Sequence, residues 1–190
     1  MAGPEPTGHP GSGTIARRPT RRVEVGAVAV GGDAPISVQS MTKTDTVDTE
    51  ATGTQIEELA QAGCDIIRLA VPDEAAARAL KIIVGRSPIP VVADIHFNHR
   101  LALMALEAGV AGLRINPGNI GGAERVREVV AAARGRRVPI RVGVNAGSLE
   151  KEILDRLGGA TAEALVESAL NHVRLLEDAG HEEIKISVKA

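Results

Sequence analysis

The stretch from Val91 to Asn119, VVADIHFNHRLALMALEAGVAGLRINPGN, sets the reading of everything around it. VVADI is an apolar run of strand length that ends at Asp94 and His96. A segment from about Asn98 to Ala108 with helical apolar spacing follows, then a second short run, GLRI, ending at Arg114 and Asn116. A β-α-β unit of this length makes its two strands parallel, so both deliver their polar ends to one edge of a sheet. That edge receives a carboxylate, an imidazole, a guanidinium and an amide.

The same alternation continues on both sides. Upstream, TEATGTQIEELAQA (residues 49–62) is spaced as a helix stopped by Gly63, and DIIRLAV is a strand halted by Pro72. Asp73 caps a helix that runs to about Val84 with acid in its first turn. Downstream, the turn PGNIGG leads into the helix AERVREVVAAARG and then the strand PIRVGVN. A short helix over SLEKEILDRLG and a longer one from about Thr161 to Asp178 precede a last strand, EIKISVK. Near the front, VEVG and AVAVGG form a small hairpin, and PISVQS reads as the first buried strand. Residues 1–18 are rich in Gly and Pro with almost no apolar content; they are expected to be a disordered leader to a single domain over 19–190.

Six parallel strands with interleaved helices fit either an open doubly wound sheet or an incomplete TIM-type β/α barrel. No G-x-G-x-x-G follows the first strand, and no Gly-x-x-x-x-Gly-Lys-Ser/Thr loop occurs. The expectation is therefore an α/β fold: a parallel barrel with about six of its eight strands, on a chain shorter than the ~250 residues typical of a closed one. Its two end strands would have unpaired edges.

The C-terminal strand ends carry Gln39-Ser40-Met41-Thr42, Arg68, Asp94 with His96, Arg114 with Asn116, Arg141 with Asn145, and Lys189. In a parallel barrel these ends form the mouth where active sites lie. Three arginines and a lysine there make a cationic funnel, suited to a ligand with more than one anionic group because the guanidinium fork matches phosphate oxygens. PGNIGG, opening a helix, can offer backbone N–H groups to the same anion. Asp94 is placed to orient an alcohol or accept a proton.

Each of these residues also has a structural reading. The arginines fit as salt-bridge partners filling the mouth, Asp94 as their counter-ion, His96 as a core histidine and Asn116 as a turn former before Pro117-Gly118. His96 and His99 have the spacing of a metal pair, but no further ligand of suitable type lies near, so no metal site is expected. Cys64 reads as a small core hydrophobe.

Composition narrows the classes. With 22 Lys+Arg against 24 Asp+Glu, no nucleic-acid or polyanion binder is indicated, and any positive field must be local. One Phe and no Trp or Tyr argue against a base-stacking surface and for a Val, Ile, Leu and Ala core. One cysteine rules out an internal disulfide and cannot by itself hold zinc or an iron–sulfur centre. No apolar run reaches the ~20 residues of a membrane helix, and the first residues lack the apolar segment of a signal peptide. The expected setting is cytoplasmic, with no membrane contact.

PISVQSMT, VADIHF, LRINPGNIGG, RVGVNAGSLEKEIL and IKISVKA, in this order and spacing, resemble the N-terminal barrel of the 4-hydroxy-3-methylbut-2-enyl diphosphate synthases. The resemblance runs from about Arg17 to Ala190. It implies the non-mevalonate isoprenoid pathway and the reductive opening of 2-C-methyl-D-erythritol 2,4-cyclodiphosphate, with two electrons and loss of water. By the same resemblance, Arg68, Arg114, Arg141 and Lys189 grip the diphosphate, helped by His96 and Asn145; Asn116, from its place at a strand end, is a further candidate for substrate binding. Asp94 is the active-site acid, and Arg22 a further contact.

The resemblance also implies two more barrel strands, one with a catalytic glutamate nearby, and a second domain holding a four-iron four-sulfur cluster through three cysteines and a glutamate. Ferredoxin or flavodoxin feeds that cluster, and two chains pair head to tail so that one chain's cluster domain closes the other's barrel. The sequence ends at SVKA without those parts. The expectation is thus a partial or truncated chain that binds substrate, carries no cofactor and does not turn over alone. Two alternatives accompany it: a phosphate-binding barrel of dihydropteroate synthase type, and a non-catalytic remnant or docking fragment.

Overall fold

The computed structural model describes residues 18–116 and 119–190. A two-stranded antiparallel hairpin, β1 (Val23–Val25) and β2 (Val28–Val30), comes first. Six parallel strands follow: β3 (Gln39–Met41), β4 (Ile66–Ala70), β5 (Val91–Ile95), β6 (Gly112–Ile115), β7 (Ile140–Asn145) and β8 (Ile184–Lys189). Between them run α1 (Thr49–Gln61), α2 (Glu74–Arg86), α3 (His99–Ala108) and α4 (Gly122–Arg136). A 3-10 turn (Ala146–Ser148), α5 (Lys151–Leu157) and α6 (Ala162–Asp178) lead to β8.

Strand order separates the two architectures left open by the sequence. The sheet runs β3-β4-β5-β6-β7-β8 with no reversal. Right-handed crossovers that always step the same way put every helix on one face, and the sheet curls toward the other. A doubly wound sheet needs a reversal of order, and there is none. The result is most of a barrel, with a gap between β3 and β8.

Alternation along the strands sorts the residues. Ile67, Leu69, Ala93, Ile95, Leu113, Ile115, Ile140 and Val142 face outward and are buried under Ile56, Leu80, Leu106, Val129 and Leu176 of the helices. Each such Leu or Ile contributes roughly 1.5–3 kcal/mol by leaving water. The inner face carries Ile66, Arg68, Val92, Asp94, Arg114 and Arg141, as the register requires. Its lower half is closed by the hairpin, where Val25 packs on Ile66 and Val92 beside Val28 and Val30.

Helix starts follow the sequence cues: Asp48, Asp73, Asn98 and Thr161 each accept a backbone N–H of the first turn. Gly109, at φ +90°, ends α3 in the left-handed conformation that a side chain would resist. The helix expected over SLEKEILDRLG divides, a 3-10 turn being set off from α5 by the extended Leu149 and Glu150.

Two expectations need correction or delimiting. PISVQS is not a buried strand: only Gln39–Met41 is strand, none of it buried, and Ile36 and Val38 are 76% and 54% exposed. This is the end strand of the sheet, and among the described residues its outward Ile36 and Val38 stay in water. Ile186 and Val188, on the opposite end strand, are also exposed. The leader expected over residues 1–18 lies outside the described residues except for Arg18.

Candidate functional site

Asp94 is the hub of the inner face. Its carboxylate is 5% exposed, and Oδ1 accepts from Arg114 Nη1 at 3.0 Å and lies 3.2 Å from His96 Nε2. Arg68 Nε stands 3.4 Å from Oδ2. Arg114 Nη1 also meets His96 Nε2 at 3.1 Å, so carboxylate, guanidinium and imidazole form one connected group. Arg68 reaches back through Nη2 to Met41 Sδ, 3.2 Å away on β3.

Register places Arg141 beside Arg114 and Lys185 beside Arg141. Burial first, then the charges of Arg68 and Arg114, lower the Arg141 pKa, and Asp94 offsets only part of this. No carboxylate pairs with Arg141 among the described residues. Lys185 is pushed down to about 8 by burial and by Arg141. One buried and three half-buried cations thus line a face whose inward carboxylate, among the described residues, is Asp94. Like charges at this spacing repel in a partly solvated site, and an anion on this face would relieve that repulsion.

Two spaces adjoin this group. A cleft of about 210 Å³ at the mouth is lined by Ala70, Val71, Pro72, Asp94, His96, Phe97, Asn98 and Leu101. An open cleft of about 490 Å³ in the gap between β3 and β8 runs from Arg21, Val23 and Gly31 at the hairpin to Gln39, Ile66, Arg141 and Lys185.

Of the residues singled out by sequence, Arg68, Asp94, Arg114 and Arg141 come together on one face, with His96 at its rim and 56% exposed. Asn116 is buried at the mouth end of β6, and its carbonyl accepts the Asn119 N–H at 2.9 Å. Pro117 and Gly118 lie outside the described residues. Asn145 and Lys189 are paired in register at the mouth, Lys189 exposed, four residues beyond the row that holds Arg141. Arg22 is a correction: it bonds Glu24 at 2.7 Å on the hairpin, at the end of the barrel away from the mouth. Cys64 is buried, its Sγ donating to the Ile66 carbonyl.

A family profile for the GcpE TIM-barrel domain matches residues 20–190. The chain belongs to the GcpE family. Its sequence is 63% identical over 174 residues to the 4-hydroxy-3-methylbut-2-en-1-yl diphosphate synthase (flavodoxin) of Magnetococcus marinus, covering 92% of this chain and 47% of that protein. It is 66% identical over 171 residues to the protein of the same name from Geobacter sulfurreducens, covering 90% and 48%. The chain thus spans about half the length of the curated relatives it matches. Among solved structures, 7,8-dihydropteroate synthase from Vibrio fischeri superposes with a TM-score of 0.62 at 11% identity, covering 88% of this chain and 66% of that one; this likeness is one of fold.

Sequence reading of this GcpE-family chain missed two residues. Lys185 sits at the start of β8, and attention to strand ends passed over it; only the register with Arg141 puts it in the cationic row. Gly143 looks like a gap in an apolar run, yet a Cβ there would stand 2.5 Å from Arg114 Nε. Its bare backbone is the floor on which that guanidinium lies.

Proposed function

We propose that this chain is the substrate-binding barrel of an enzyme that reductively opens 2-C-methyl-D-erythritol 2,4-cyclodiphosphate to 4-hydroxy-3-methylbut-2-enyl diphosphate. The observation that carries the reading is the excess of inward cations, Arg68, Arg114, Arg141 and Lys185, over the single carboxylate of Asp94. The names of the GcpE-family relatives support the choice of reaction. The runner-up, a dihydropteroate synthase activity, has only a likeness of fold behind it.

In this reading Arg68, Arg114 and Arg141 hold the two phosphates through forked hydrogen bonds, with Lys189, Asn145, Asn116 and His96 closing from the rim. Asp94 holds Arg114 and His96 in place and is positioned to exchange a proton with the ligand's hydroxyl or leaving oxygen.

The reaction consumes two electrons and releases water, which calls for an iron–sulfur cluster. The residues of this chain do not fit one: its single cysteine is buried and bonded to backbone carbonyls, and no group of three or more potential metal ligands occurs among the described residues. In this reading the cluster and its ligands are supplied from outside residues 1–190, with flavodoxin as the donor named in the relatives and ferredoxin as the alternative. The complete protein works as a homodimer in the cytoplasm. Among the described residues no helix is long and apolar enough to cross a membrane.

Calorimetric titration of the cyclodiphosphate into the purified chain tests the reading. Saturable binding that falls at least tenfold in Arg141→Ala supports it, a loss of about 1.4 kcal/mol or more. No heat from the unmodified chain under conditions where it is folded refutes it.

A further inference from the structure

Phe97 is the one aromatic residue of the chain, and it is 74% exposed. It precedes Asn98, the N-cap of α3, in the place where an apolar residue often staples a helix start by packing against its first turns. Most of the ring nevertheless stays in water. It stands edge-on to His96 with ring centroids 5.9 Å apart, and His96 touches both Asp94 and Arg114. On its other side the ring borders the mouth cleft, whose apolar lining is Ala70, Val71, Pro72 and Leu101.

The cleft is thus continuous with the cationic face through Asp94 and His96, and the two surfaces read different chemistry. Guanidinium and ammonium groups hold phosphate regardless of what carries it. A ring facing an apolar wall recognises the hydrocarbon part and is indifferent to bare phosphate.

We infer that Phe97 is a specificity-determining residue: with the Ala70–Leu101 cleft it takes the carbon skeleton of a short phosphorylated ligand whose phosphates rest on the inward arginines. This rests on the function proposed above and adds to it, because it names the group that distinguishes the methyl-bearing cyclodiphosphate from inorganic diphosphate. Burial of the exposed ring against the ligand supplies the discrimination.

The test measures binding of the cyclodiphosphate and of inorganic diphosphate to the unmodified chain, Phe97→Ala and Phe97→Leu by calorimetry. Phe97→Ala is expected to weaken the cyclodiphosphate about tenfold and leave diphosphate within about twofold, with Phe97→Leu recovering most of the loss. Equal losses for both ligands, or a cyclodiphosphate affinity unchanged in Phe97→Ala, overturn the inference while leaving the proposed function standing. Failure of the unmodified chain to bind the cyclodiphosphate while binding diphosphate overturns both.

Discussion

Arg114 lies across the bare backbone of Gly143, so close that a β-carbon there would stand 2.5 Å from Nε and 2.6 Å from Nη2. The neighbouring strand therefore dictates where this guanidinium rests, and through it where Asp94 is held. Gly143→Ala forces Arg114 off its floor. The expected result is a diphosphate affinity reduced tenfold or more with a small loss of stability, because the group displaced is the far end of a flexible side chain and not backbone. Calorimetry and urea melts on the same variant read both.

Asp94 is the buried counter-charge for Arg114 and Arg68. Asp94→Asn leaves those guanidiniums facing one another, and breaking a buried pair in this way costs on the order of 3–5 kcal/mol. Millimolar inorganic diphosphate should restore part of that loss, because an anion on the same face replaces the missing charge. A urea midpoint that drops and then recovers on adding diphosphate is the expected pattern; a drop with no recovery places the cations away from any anion site.

Much of this arrangement was legible beforehand. Arg68, Asp94, Arg114 and Arg141 sit on the polar beats of otherwise apolar strands, and a parallel sheet sends such beats to one side. Lys185 was only half legible: alternation along EIKISVK puts it on the same face as Lys189, but that it stands beside Arg141 depends on how β8 pairs with β7, and attention to strand ends passed over it. The fate of PISVQS was hidden for a related reason. Its apolar composition promises burial, but burial depends on what packs against the strand, and among the described residues Ile36 and Val38 stay exposed at the sheet's end.

Lys185 gives a pH test. Its pKa in the fold, about 8, lies below the ordinary 10.5, so the unfolded chain binds more protons between those values. Stability should therefore rise as pH climbs from about 8 to 10.5 and carry the full penalty below 8. The contribution is at most about 3 kcal/mol, at 1.36 kcal/mol per unit. Lys185→Met should remove this rise, stabilise the ligand-free chain at neutral pH and weaken diphosphate binding. Urea melts across that range check it.

The acid side is governed by His172 and His181, both buried and both shifted downward chiefly by that burial. Glu150, 3.0 Å from His172 Nε2, offsets only part of the effect. The fold holds both rings neutral, whereas the unfolded chain takes up protons below about 6.5. Stability contributed by these groups is present above that pH and lost as pH falls through it. The urea midpoint should therefore drop between pH 7 and 5, and His172→Gln should make that drop shallower.

Crystals of the chain grown with the cyclodiphosphate test the central claim most directly. Both phosphates should lie on the inner face, with oxygens within hydrogen-bond distance of at least two of Arg68, Arg114 and Arg141. Density for the ligand at the hairpin end, on the helix face or absent from a saturated crystal would contradict the account.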